Sequence, residues 1–254
     1  MADSPVVLIT GAARRIGSAI ARALHEVGWN VVIHYRASGG EARALEKALN
    51  KDRDGTARTL RANLLDADAV HQLAEQAHSQ WGRLDALVNN ASTYYRTPIE
   101  SLTAEQFDDL VGSNLKAPLF LIKACAAKMK HGAIPPGSLA TPAIVNIADT
   151  HVLAGMKNYS AYIAAKAGLV AVTQTLAIEL APRIRVNAIA PGHILWSDQN
   201  TMTAAQRDAE VKRVPLQRLG RPEEIAGATA FLLSPAAGYI TGAVLPVDGG
   251  LRLA

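Results

Sequence analysis

One cysteine, three phenylalanines and no tract of basic residues set the outer limits of this 254-residue chain. With Cys125 alone there is no intrachain disulfide and no cysteine-rich metal site. Its surroundings, "FLIKACAAKM", have helical apolar spacing, so it reads as a small buried hydrophobe. Aromatics are 5% of residues against 49% hydrophobics, the balance of an Ala-, Val-, Ile- and Leu-rich α/β protein rather than a β-sandwich. The net charge is +4, but Lys and Arg are interleaved with acids and form no basic-aromatic array. That argues against nucleic-acid binding and leaves a mildly positive cleft for an anionic ligand. The opening "MADSPVVLIT" lacks a basic n-region, and its apolar run is too short for a signal peptide or membrane span. A soluble cytoplasmic protein without metal or membrane partner is expected.

Strands and helices alternate along the chain. "VVLIT" (6–10) is a continuous apolar run, as in a strand buried on both faces of a parallel sheet, and Ile16, Ile20, Ala21, Leu24 and Val27 follow at helical spacing. Further strands are predicted at 28–36, 56–64, 83–92, 142–149, 184–192 and in "AVLPVDGG" near the end. Helices are predicted at 41–50, 66–80, about 104–130 and 159–181. This order implies right-handed βαβ crossovers and a doubly wound, Rossmann-type α/β fold of about seven parallel strands. No composition shift marks a linker, so residues 1–254 read as one domain, with substrate loops near 93–100, 131–142 and 193–210.

Two chain segments point to a dinucleotide. In "TGAARRIG", Gly11 permits a tight turn after the first strand and Gly17 lets the next helix pack closely, offering its N-terminus to a pyrophosphate. Arg15 occupies a place where another glycine would be unremarkable. At the end of the second strand, "HYRAS" supplies Tyr35, Arg36 and Ser38 but no acid. An acid there binds the ribose 2′-hydroxyl of NAD, whereas arginine suits the 2′-phosphate, so NADPH is favoured, with Arg14 also within reach of phosphate. His34 reads as a strand residue.

Taken with "NNAS" (89–92), Asn114 in "GSNLKAP", "YIAAK" (162–166) and "APG" (190–192), the turn resembles the short-chain dehydrogenase/reductase family over nearly the whole chain. The resemblance implies a homotetramer. It places the cofactor against Gly11, Arg14, Arg15, Ile16, Tyr35, Arg36, Ser38, Asn63, Leu64, Asn90, Ala91, Ser92, Asn114, Tyr162, Lys166, Pro191 and Gly192. Asn63 stands where many members have an Asp.

Tyr162 and Lys166 are four apart on a predicted helix and share a face. A nearby ammonium would lower the phenol's pKa and suit it to general-acid work. Thirteen residues before Tyr162, the family's usual serine is replaced by Asp149. A carboxylate opposes charge growing on a carbonyl oxygen but favours a basic ring nitrogen or amidine-like edge. Asp149, Tyr162 and Lys166 are therefore the candidate catalytic residues, for reduction of a C=N bond in a heterocycle.

Arg15 and Asp149, together with "NNASTYYRTP", resemble the pteridine reductase branch of the family. That resemblance implies NADPH-dependent reduction of a dihydropterin and of dihydrofolate. Substrate would meet Arg15, Ser92, Tyr94, Asp149, Tyr162, Leu195 and Trp196, with Tyr94 stacked on the pterin. It also raises the idea of Arg252 reaching a neighbouring subunit's site, and leaves His151 and His193 as flanking residues. A keto reductase of the same fold and a non-catalytic NADPH-binding sensor are the alternatives.

Overall fold

The computed structural model describes residues 4–129, 142–152, 154–196 and 202–254. Its frame is one sheet of seven parallel strands: β1 (Val6–Ile9), β2 (Asn30–Tyr35), β3 (Ala57–Arg61), β4 (Ala86–Asn89), β5 (Ala143–Ile147), β6 (Arg185–Pro191) and β7 (Val244–Val247). Their spatial order is β3-β2-β1-β4-β5-β6-β7. Apart from β3, which carries Arg58, Thr59 and Arg61, the strands were legible as largely apolar runs, and the expected spans overshot by one to three residues at their ends.

Between the strands lie α1 (Arg15–Glu26), α2 (Gly39–Asp52), α3 (Ala67–Ser79), α4 (Ala104–Val111), α5 (Ala117–Lys128), α6 (Ser160–Glu179), α7 (Ala204–Arg213) and α8 (Pro222–Leu233). The period of two along the strands divides the core between them. Val7, Ile9, Ile33 and Val88 face Ile20 and Leu24 of α1 and Ile225 and Leu232 of α8. Leu8, Val32, Leu87 and Ile144 face Leu73 of α3 and Leu121 and Cys125 of α5. Cys125 is fully buried there, as its spacing predicted.

Three expectations needed correction. The helix expected over about 104–130 is broken by a π-helical turn at Gly112–Lys116, which separates α4 from α5 and turns Asn114 inward. The segment 193–210, expected as loop throughout, ends in α7: Thr203 accepts from the Gln206 amide while the Gln206 side chain accepts from the Thr203 amide, a reciprocal cap. Helix α8 was not anticipated at all; Pro222 at its first turn and Glu224, which accepts from the Arg221 amide, are its local signals. The proposed loop at 131–142 lies almost wholly outside the described residues, as do residues 197–201 of the loop near 193–210.

Two helical stretches, Ala104–Lys128 and Ser160–Glu179, are long and apolar enough by length and composition to cross a membrane. Both pack on the sheet, α5 on β4 and α6 on β6, and bury part of their apolar surface there, while Phe107, Phe120 and Ile178 are exposed.

The strand order reverses between β1 and β4. Connections leave these neighbours toward opposite sides of the sheet, which opens a crevice at their carboxyl ends. Helix α1 enters that crevice because Gly17 has no side chain. A Cβ there would lie 2.4 Å from the Gly11 carbonyl oxygen and 2.7 Å from Nδ2 of Asn90. Gly17→Ala is expected to push α1 from the sheet and cost about 1–3 kcal/mol, as overpacking of a well-packed site does; a fall in the urea midpoint at unchanged m-value measures it.

Candidate active site

The turn after β1 is built from backbone demands. Gly11 has φ +61° and touches Ala91, so it must be glycine both for its conformation and for its neighbour. Its amide donates to Nδ1 of His34 (3.1 Å), which leaves the proton on Nε2 to donate to the Ala62 carbonyl (3.2 Å). His34 thus joins the turn to the segment after β3 that carries Asn63 and Leu64. The sequence had marked it only as a strand residue; a polar side chain within the apolar run of β2 was the available signal. Burial pulls its pKa from 6.5 down to about 4, against the opposing pull of the bond to Ala62.

Arg15 takes φ +55°, the left-handed conformation that glycine favours. Its backbone keeps the glycine's geometry while its guanidinium reaches across the crevice, donating from Nη2 to the carbonyls of Leu195 (3.3 Å) and Trp196 (3.1 Å). The expected neighbours are therefore brought together through main-chain oxygens of the 195–196 segment. Arg14 forms a half-exposed ion pair with Glu41 at 3.7 Å.

A cavity of about 430 Å³ runs along these residues. Gly11, Arg14, Arg15, Ile16, Tyr35, Arg36, Ser38, Asn63, Leu64, Asn90, Ala91 and Ser92 line it, and no carboxylate does among the described residues. Ser38 precedes α2 without capping it, so its hydroxyl is not spent on the helix. This lining fits a dinucleotide carrying an extra phosphate: a glycine cradle, a helix N-terminus, and cationic and hydroxyl groups at the end of β2.

Asn114, Tyr162, Lys166, Pro191 and Gly192 lie beyond this cavity's lining. Asn114 accepts from Ser92 Oγ (2.6 Å) and donates to the carbonyls of Thr93 (2.9 Å) and Leu110 (3.0 Å). Its side chain is consumed in holding the segment that follows β4 against α4. Gly192 passes so close to Asp248 that a Cβ would sit 2.7 Å from its Cα.

At the chemical end, α6 carries Tyr162 and Lys166 inward, 5% and 3% exposed. Tyr162 Oη donates to Asp149 Oδ2 at 2.9 Å. Asp149 Oδ1 accepts from both the backbone amide and Nδ1 of His151, each at 2.8 Å. Burial alone would raise the Asp149 carboxyl, but the bonds from His151 and Tyr162 outweigh it and hold the group below its ordinary value.

The phenol behaves opposite to expectation. Burial first, and then the charge and hydrogen bond of Asp149, push Tyr162 well above the ordinary tyrosine value. Lys166 does not counter this: its Nζ donates to the Ile147 carbonyl (2.7 Å) and lies 5.8 Å from the centre of the Tyr162 ring. Burial lowers Lys166 to about 8, opposed by the Asp149 charge. Tyr162 is held as a phenol and is reluctant to stand as phenolate.

Tyr94 packs face to face on Tyr159 (4.8 Å, 13°) and edge-on to Tyr162 (5.0 Å). Tyr159, three residues before Tyr162 on the approach to α6, was missed by sequence reasoning; so was the contact of His151 with Asp149. Thr97 is pinned to the same approach, its amide donating to the Asn158 carbonyl at 2.6 Å. Arg252 pairs with Asp248 of its own chain at 3.5 Å.

Residues 11–252 match a family model described as enoyl-(acyl carrier protein) reductase. The chain is 36% identical to pteridine reductase 1 of Leishmania tarentolae, with 98% of this chain and 97% of that protein covered. It is 34% identical to 3-oxoacyl-(acyl-carrier-protein) reductase FabG of Staphylococcus epidermidis, covering 97% and 98%. With its counterpart from Staphylococcus aureus strain Mu50 the identity is 35%, covering 97% of each chain.

The depressed pKa of His34 makes stability depend on pH. The folded chain favours neutral imidazole, so the stabilisation is complete above the unfolded value of 6.5 and is lost as pH falls to about 4. The shift corresponds to roughly 3 kcal/mol at most. Urea midpoints of the cofactor-free chain are expected to fall across that window, and to fall less in His34→Leu.

Proposed function

The chain belongs to the short-chain dehydrogenase/reductase family and is an oxidoreductase; on that footing we propose that it is an NADPH-dependent pteridine reductase, which reduces a dihydropterin, and with it dihydrofolate, to the tetrahydro form. One observation carries the reading: the carboxylate of Asp149 stands 2.9 Å from the phenol of Tyr162, where a carbonyl reductase of the family needs a neutral donor.

A buried carboxylate next to a ketone would oppose the negative charge that grows on its oxygen during reduction. Beside a 2-amino-4-oxo pyrimidine ring the same carboxylate accepts the amidine-like N–H groups, and its charge favours protonation of the neighbouring ring nitrogen. Tyr162 holds the proton at Oη, kept there by its raised pKa. Lys166, anchored on the Ile147 carbonyl, ties α6 to the end of β5. Tyr94, backed by Tyr159, presents an aromatic wall on which a flat heterocycle stacks, which holds the acceptor carbon in line.

The residues of the crevice would hold the cofactor: Gly11, Ile16, Asn90, Ala91 and Ser92 around the pyrophosphate and nicotinamide ribose, Arg36 and Ser38 at the 2′-phosphate, and Asn63 and Leu64 near the adenine. When bound, the dihydronicotinamide supplies the hydride. Arg15 ties the phosphate turn to the Leu195–Trp196 segment, so cofactor and substrate walls are braced as one unit.

The similarity to 3-oxoacyl reductases supports a second reading, reduction of an acyl-thioester ketone by the same fold. Purified protein is expected to oxidise NADPH in the presence of dihydrobiopterin or dihydrofolate and to leave an acetoacetyl thioester unreduced. Turnover with the thioester alone would overturn the pterin reading. Arg36→Asp is expected to lower the NADPH/NADH ratio of kcat/KM by at least about tenfold, the weight of one charge-assisted phosphate contact. An unaltered ratio would put the phosphate contact elsewhere.

A further inference from the structure

The carboxylate of Asp149 is the middle of a longer chain of groups. On one side it accepts from Tyr162, on the other from Nδ1 of His151. The His151 ring lies 5.7 Å, centroid to centroid, from that of His193, tilted by 42°. His193 Nε2 is buried without a hydrogen bond and lies 3.5 Å from Glu210 Oε2. Glu210 sits on α7, where exposed Arg213 donates to it at 3.0 Å. Titratable side chains from the turn after β5, the segment after β6 and α7 thus lead from a buried phenol to the surface.

We propose that His151 re-protonates the Asp149–Tyr162 pair after each turnover and that His193 and Glu210 bring that proton in from solvent. The proposal rests on the reading of the site as one that reduces a ring C=N bond. In that reaction the C=N π bond breaks, a C–H bond forms with the hydride, and an N–H bond forms with a proton drawn from the Tyr162–Asp149 pair; the two electrons are lost by the dihydronicotinamide. His151, as imidazolium, then gives the proton on Nδ1 to Asp149 Oδ1 and is left as neutral imidazole, which takes a replacement proton from solvent by way of His193 and Glu210.

The other charged groups at this end are engaged elsewhere. Lys166 bonds to the Ile147 carbonyl, and Asp248 accepts from Thr150 (2.8 Å) and pairs with Arg252. Burial, and then the charge on His151, lower the pKa of His193, so the two rings resist holding a proton each. That suits passage of a proton better than storage. His151 does not line the cavity along the turn after β1, and it acts through Asp149.

His151→Asn keeps a donor beside Asp149 but cannot pass a proton through. For dihydrobiopterin reduction, kcat is expected to fall by about tenfold or more with KM little changed, and the pH profile of kcat to lose one ionisation. Added imidazole is expected to restore turnover to His151→Ala, which a packing role would not allow, and His193→Gln is expected to lower kcat in the same direction. In the cofactor-free chain, NMR of the imidazoles is expected to show the His193 titration midpoint rising in His151→Asn. An unchanged pH profile in a chain whose parent reduces dihydrobiopterin overturns the relay. Lack of dihydrobiopterin turnover by the parent overturns the reading of the site instead. An unmoved His193 midpoint overturns the relay whatever the substrate.

Discussion

The site hangs on a clamp between the ends of β1 and β4. Thr10 Oγ accepts from the amides of Asn90 (2.9 Å) and Ala91 (3.0 Å), while Asn90 Nδ2 donates to the carbonyls of Thr10 (2.9 Å) and Gly11 (3.1 Å). These bonds satisfy polar groups that the end of a parallel sheet would otherwise leave exposed in the crevice. They also set where Gly11 turns, where α1 begins and where Ser92 points. Asn114 extends the same bracing outward through Ser92 and Thr93. Asn90 and Asn114 spend their side chains on protein, and what they present to a ligand is a shaped backbone.

The other end of the crevice is governed by charge in a buried place. A carboxylate there is stable because three donors meet it, two from His151 and one from Tyr162. The arrangement fixes the phenol in its protonated form and sets the chemistry that the site favours. On the function proposed, the same negative charge that would hinder reduction of a ketone assists a ring nitrogen in taking a proton. Arg15 links this end to the phosphate turn, accepting an unfavourable backbone conformation to do so.

The fold was largely legible because most buried parallel strands announce themselves as predominantly apolar runs, and Gly11, Gly17, Tyr162 and Lys166 stand at intervals that backbone geometry and helix periodicity impose. Helix α8 escaped because its apolar residues follow a stretch read as loop. Asn114 was visible as part of a motif, yet the π-helical turn that carries it inward has no mark in a helical pattern. Tyr159, His34 and His151 escaped as site residues for a different reason. Their importance comes from partners 65, 23 and 2 residues away, at Tyr94, Gly11 and Asp149, and only the first two of those pairings span the fold.

By itself, then, the chain determines its α/β architecture, its family, the absence of an acid at the end of β2 and the presence of Asp149 in place of a serine. These follow from local pattern and residue identity. Only the tertiary structure decided that Tyr162 is held above its ordinary pKa rather than below it, because desolvation and the facing carboxylate act through space while Lys166 turns to a main-chain carbonyl. It alone also decided that Arg15 spans the crevice to Leu195 and Trp196, some 180 residues away in sequence, and that Asp149 opens onto His151, His193 and Glu210. Burial and through-space charge depend on which distant segments meet, and no spacing along the chain records that.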